Sequence, residues 1–107
     1  MTHVPLVTGA TQILAAADGW KSLVIRNGRE VLDVLWQSNV KMVLQGHTHI
    51  VENVDYNNCQ FITSGAVCGN WWKGKRLFHP EGYGLIEVAG GRFKWSYHTY
   101  GFVADPA

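Results

Sequence analysis

Charge of either sign is scarce in this chain. Charged residues make up 16% of it, nine Lys and Arg stand against eight Asp and Glu, and the formal net charge is +1. No basic cluster runs along the sequence, so it lacks the electrostatic footprint of a protein that binds nucleic acid or an anionic membrane. Long apolar runs are missing too, and none approaches the roughly 18 to 20 residues that a membrane span needs. The opening Met1-Thr2-His3-Val4-Pro5 has neither a basic n-region nor an apolar h-region. The expectation is a soluble chain, cytoplasmic by default, with neither nucleic acid nor membrane as a partner. Cysteine is limited to Cys59 and Cys68. Their spacing matches no zinc knuckle, and two cysteines make no disulfide scaffold, so buried free thiols are expected. What is abundant is apolar material: 47% of 107 residues, enough to bury a modest core in one domain at most.

Residues 6–23 show no clear period and contain Gly9 and Gly19; they read as a long loop with a short helical piece around residues 12–17. Loops of this length are usually functional or poorly ordered. Val31, Leu32, Leu35 and Trp36 then recur at helical spacing, which predicts a helix over residues 29–37 with Asn27 as its N-cap and Asn39 as its stop. Residues 40–44 form a short apolar run suited to a strand buried on both faces, leading directly into Gln45-Gly46-His47. Residues 50–56 alternate, Asn57-Asn58 marks a turn, and residues 60–63 resume, which predicts a hairpin. A second hairpin is predicted from residues 82–88, the turn Ala89-Gly90-Gly91, and residues 92–97. Between the two hairpins lies a Gly- and Trp-rich loop, residues 64–81. The fold class that results is α/β (α+β), mostly strand with one main helix.

Chemistry concentrates at Gly46-His47-Thr48-His49, just past the end of a predicted buried strand, where loops can turn ligands toward a shared cleft. In a fully extended strand His47 and His49 point to the same face. A glycine at Gly46 lets backbone approach an ion or ligand closely. Imidazole suits borderline divalent metals, and two such ions close together polarise a phosphoryl oxygen. The bland alternative is an ordinary surface strand, where a lone His-x-His is common.

Val43-Leu44-Gln45-Gly46-His47-Thr48-His49 resembles the closing G-H-x-H motif of the calcineurin-like metallophosphoesterases. Thr2-His3-Val4-Pro5 resembles the preceding motif of that family, a histidine at a strand end followed shortly by proline. The resemblance implies that His3 and His47 share one metal ion and that His49 binds its neighbour. The ions would be Mn, Fe or Zn, and the activity hydrolysis of phosphoric mono- or diesters. Ser64-Gly65-Ala66-Val67, Gly69-Asn70-Trp71-Trp72-Lys73-Gly74 and Glu81-Gly82-Tyr83-Gly84 are similar to the loop and strand that follow the motif in many bacterial members. Tyr97-His98-Thr99-Tyr100-Gly101 resembles their terminal strand.

Three elements of that family have no counterpart in the sequence: Asp-x-His, Gly-Asp-x-x-Asp and Gly-Asn-His-Asp/Glu. Asp18 lacks a histidine two residues on, Asp33 falls in the predicted helix, and Asp55 follows the motif. Three histidines cannot fill two coordination spheres, and no carboxylate bridges them. The resemblance therefore implies a C-terminal part of such an enzyme, residues 1–107 from the fourth motif onward, inactive alone and with no catalytic residue of its own. The parent fold would be a four-layer α-β-β-α sandwich of which this chain supplies one sheet and a helix. The exposed inner face of that sheet would drive self-association.

Trp71, Trp72 and Lys73 are candidate substrate-binding residues, with aromatic faces for a base and an ammonium for a phosphate; the alternative is that the tryptophans cover a sheet edge. His79 is expected to be a solvent-facing loop histidine and His98 a structural one. Lys21, Arg26 and Arg29 read as solvated charges. Two other functional classes remain. One is a non-catalytic binding or oligomerising module, which explains the missing elements directly. The other is a small cupin-like metal protein using His47, His49 and Glu52, although in an alternating strand Glu52 faces away from the histidines.

Overall fold

The computed structural model describes residues 1–14 and 23–106. They form a mixed α/β arrangement, mostly strand: α1 (Ala10–Ile13), α2 (Gly28–Gln37), β1 (Met42–Gln45), β2 (Val51–Tyr56), β3 (Cys59–Ser64), β4 (Gly82–Ala89) and β5 (Arg92–Thr99). Two compact units emerge, Met1–Thr48 with Glu52–Thr63, and His49–Val51 with Ser64–Ala107. Among the described residues no helix is long and apolar enough to cross a membrane.

The first unit is a three-stranded sheet of order β1-β3-β2. β1 and β3 are parallel, with Val43 opposite Phe61 and Gln45 opposite Thr63. Asn57 and Asn58 connect β2 to β3 with φ of 53° and 61°, the left-handed pair that a tight hairpin turn needs and that asparagine tolerates. Val43, Cys59 and Phe61 are buried together, and Leu6, Val7, Leu32, Leu35, Val40 and Val54 pack against them. α2 therefore docks through its predicted apolar face. Asn39, with φ 57°, ends α2 in the left-handed cap conformation.

Three expectations for this unit need correction. Asn27 holds the N-cap position of α2 but makes no side-chain bond there; its ψ of 31° lies outside the β region from which a cap side chain reaches the helix amides. The short helical piece begins earlier, at Ala10–Ile13; residues 15–17 and Lys21 lie outside the described residues. β1 is not buried on both faces. It alternates, with Val43 and Gln45 inside and Met42 and Leu44 half-buried; Leu6, Leu32 and Leu35 pack on the cluster that holds Val43, and the opposite face is less covered. The inward Gln45 (7% exposed) spends its amide on the chain beside it. Its Nε2 donates to Val7 O at 2.5 Å and Thr63 Oγ1 at 3.1 Å, and its Oε1 accepts from Leu6 N at 3.1 Å. Arg29 is solvated as expected, its side chain 81% exposed; it pairs with Asp33 at 3.1 Å and lies 5.8 Å from the centre of the Trp36 ring.

The second unit is built on the β4–β5 hairpin, antiparallel from Gly82↔Thr99 to Ala89↔Arg92. Gly90 and Gly91 turn it with φ of 58° and 73°, as the Gly-Gly pair predicts. Trp95 Nε1 donates to Ser64 Oγ at 2.9 Å and Tyr97 OH to Pro80 O at 2.5 Å, tying the 64–81 loop to the hairpin. His98 is structural, stacked on Tyr83 at 5.6 Å and bonded to Ser96.

Both cysteines are free; Cys59 is buried and Cys68 half-buried. Burial, opposed by Lys41 and reinforced by Asp55, raises the Cys59 thiol above its ordinary value of 9.0. The unfolded thiol ionises first, so the stability that this group contributes is complete below about pH 9 and is lost as pH rises through the higher folded value. In native protein at about pH 8, a thiol reagent is expected to label Cys68 first and Cys59 only as the chain opens. Equal labelling rates, read by mass spectrometry, would refute the burial argument.

Candidate metal site

The G-H-x-H segment does not continue as a strand. β1 ends at Gln45, and both His47 (φ 73°) and His49 (φ 61°) have left-handed backbone. Thr48 N donates to Gly46 O at 2.9 Å across His47, a γ-turn with a non-glycine residue at its strained centre. The expected same-face alternation of the two imidazoles is thus overturned by turn geometry. His47 belongs to the first unit and His49 to the second.

Within the first unit His3 and His47 come together. Thr2 N donates to Leu44 O and Gly46 N to His3 O, both at 2.8 Å, so the opening residues run beside the end of β1. Gly46 lies close against this neighbour, though a Cβ there would make only an ordinary contact, 3.4 Å from His3 O. The two rings are 5.2 Å apart, edge to face at 72°. Tetrahedral ligation with metal–nitrogen distances of about 2.1 Å puts two imidazole centres roughly 5 Å apart, so the spacing suits a shared ion. Among the described residues no group of three or more His, Cys, Asp or Glu is gathered to hold one.

In the second unit His49 is held by the loop. Its Nδ1 lies 2.7 Å from Gly69 O. A carbonyl only accepts, so Nδ1 carries the proton and Nε2 of the neutral ring keeps its lone pair. Trp71 packs on the same ring at 4.7 Å, and Arg76 lies 5.4 Å from the centre of Trp71. Gly69 has φ 53°, and a Cβ on it would meet Gly74 O at 2.6 Å and Glu81 at 2.9 Å, so only glycine presents this carbonyl. Sequence reasoning missed Gly69 as the partner of His49; its one trace is a Gly-Asn pair, which marks a turn without naming what the turn holds.

The other candidates divide. Trp71 is committed to His49, whereas Trp72 meets Phe102 edge to face at 5.3 Å; both tryptophans stay more than half exposed, at 58% and 53%. Lys73 is exposed. His79 is not solvent-facing as expected. It is half-buried, and its Nδ1 accepts from Val51 N at 3.0 Å, which leaves the ring proton on Nε2 and the histidine structural. Glu52 is spent within the first unit, accepting from Thr8 Oγ1 and, at 2.9 Å, from Gly9 N. A cupin-like triad with His47 and His49 loses its carboxylate by that commitment.

Comparison with protein-family models, curated proteins and solved structures returned no match.

The left-handed backbone at His47 has a measurable cost. An L-residue there pays about 1 to 2 kcal/mol that glycine does not. His47→Gly is therefore expected to be more stable than His47→Ala, both lacking the ring, by about 1 kcal/mol in urea unfolding. An alanine variant as stable as the glycine one would mean that the turn is unstrained.

Proposed function

We propose that this chain is the C-terminal part of a metal-dependent phosphoric ester hydrolase of the calcineurin-like kind, related to the four-layer sandwich fold. His3 and His47 would donate to one ion and His49 to a second. The observation that carries the reading is the hydrogen bond from His49 Nδ1 to Gly69 O at 2.7 Å. Metal-binding histidines commonly give their other ring proton to a backbone carbonyl, which fixes the tautomer and raises ligand basicity. The 5.2 Å spacing of His3 and His47 and the strained backbone at both motif histidines support it as well, since strain of this type gathers at functional sites.

Divalent ions, when bound, supply Lewis acidity toward a phosphoryl ester. The residues of this chain do the positioning. Gly69 aims His49, Trp71 holds its ring plane, and the exposed ammonium of Lys73 offers a counter-charge to a phosphate. Carboxylates to complete and bridge the ions would come from a segment carrying the three missing elements.

The test is metal content after incubation with Mn, Fe or Zn and desalting, followed by hydrolysis of an aryl phosphate once that N-terminal segment is supplied. Stoichiometric uptake is expected, falling about 10-fold to 100-fold in affinity for Gly69→Ala, which displaces the carbonyl that holds His49 and presses on Gly74 O and Glu81 as well, and hydrolysis is expected to vanish in His49→Ala. No uptake by the unaltered chain, with or without the added segment, would overturn the reading in favour of a non-catalytic module.

A further inference from the structure

The second unit contains a cleft that the phosphoesterase reading leaves unused. It encloses about 320 Å³ between Lys75, Pro80, Glu81, Thr99, Gly101 and Phe102, a size at the small end of ligand sites. Glu81 is 5% exposed, and its Oε1 is buried with no hydrogen-bond partner. A carboxylate oxygen in that state is costly, and native structures seldom leave one without a purpose. The neighbouring donors are already spent. Tyr97 OH donates to Pro80 O, and Tyr100 OH to Val67 O. Burial first and the negative charge of Glu81 second raise the Tyr97 phenol above its ordinary value, as expected for a phenol close to an uncompensated carboxylate. Lys75 does not neutralise it: the buried Oε1 has no hydrogen-bond partner, and Lys75 is exposed.

The cleft thus has one acid in its wall, one base, the hydroxyl of Thr99 and the aromatic ring of Phe102. A carboxylate beside an aromatic ring favours an ammonium group, by a charge-assisted hydrogen bond and by attraction to the ring face. A simple cation would still be repelled by Lys75. A ligand bearing an anionic group at its other end turns that repulsion into a second contact.

We propose that this cleft binds a small amino acid, its ammonium donating to Glu81 and its carboxylate meeting Lys75. The site lies within one unit and is independent of the metal reading. β-Alanine is the probe, titrated into the full chain and followed by amide chemical shifts, with ethylamine and acetate as single-charge controls. Saturable shifts at residues 75, 81 and 99–102 are expected with β-alanine, weaker ones with ethylamine and none with acetate. Glu81→Gln preserves shape and removes the charge; it is expected to weaken binding by roughly tenfold or more. Lys75→Ala, at an exposed position, is expected to weaken β-alanine binding and leave that of ethylamine unchanged or stronger. The proposal is overturned by an absence of saturable shifts up to millimolar β-alanine, by acetate reproducing them, or by undiminished β-alanine affinity in Lys75→Ala, a result that decides the matter even if Glu81→Gln fails to fold.

Discussion

Phe61→Ala is expected to cost about 3 to 5 kcal/mol, the range for emptying a fully buried phenyl site. Phe61 has no exposure and sits on the central strand of the β1-β3-β2 sheet, directly opposite Val43. Phe61 is the largest fully buried side chain among the described residues, and its ring is the largest member of the small cluster it forms with Val43 and Cys59. Against a total stability of about 5 to 15 kcal/mol for a small domain, this loss brings the first unit to the edge of folding. The effect reaches the candidate site because His47 lies two residues past the end of β1, and the opening chain that holds His3 is bonded to Leu44 and Gly46. Urea unfolding should show the midpoint fall, and the nitrogen resonances of His3 and His47 should lose their mutual contact. Phe61→Leu, which keeps most of the volume, is expected to cost under about 1.5 kcal/mol. Similar losses for the two variants would mean that volume at this position does not hold the sheet.

The sequence carries the elements whose causes are local. Val31, Leu32, Leu35 and Trp36 mark the half-buried face of α2 by spacing alone, and Asn57-Asn58 and Gly90-Gly91 mark their turns because these residue types tolerate positive φ. What periodicity misread was β1. A short apolar run such as residues 40–44 looks alike whether one face or two are buried, and only what packs over each face decides. Gln45 illustrates the difficulty: polar and next to the motif, it is buried because Leu6, Val7 and Thr63 come from far along the chain to satisfy its amide. The histidines divide in the same way. The pairing of His3 with His47 followed from a resemblance between motifs, and the two rings do lie side by side. The shared orientation of His47 and His49 followed from an assumed extended backbone and failed where the chain turns. Nothing local distinguishes His49, which donates through Nδ1, from His79, which accepts through the same atom; the difference is set by Gly69 O and Val51 N.

Gly82→Ala is the second large effect expected, for a reason unrelated to φ. A Cβ at Gly82 would fall on the carbonyl oxygen of His98 and within 2.6 Å of Tyr97 Cζ and OH. The first obstacle is backbone of the paired strand, and the second is a phenol anchored on Pro80 O, so neither yields cheaply. Relief requires spreading the end of the β4–β5 hairpin where Gly82 faces Thr99 and breaking the Tyr97 bond, at a cost of about 1 to 3 kcal/mol or somewhat more. Gly90 offers the opposite case: a Cβ there meets nothing within 4 Å, but φ is 58°. Asparagine accepts that backbone, so Gly90→Asn should leave the thermal midpoint nearly unchanged while Gly82→Ala lowers it by several degrees. Equal midpoints would remove close packing as the reason for glycine at 82. A large fall confined to Gly82→Ala would mean that the strand pair closes against Tyr97 and that glycine is what lets it, which also keeps the adjacent Glu81 in its buried position.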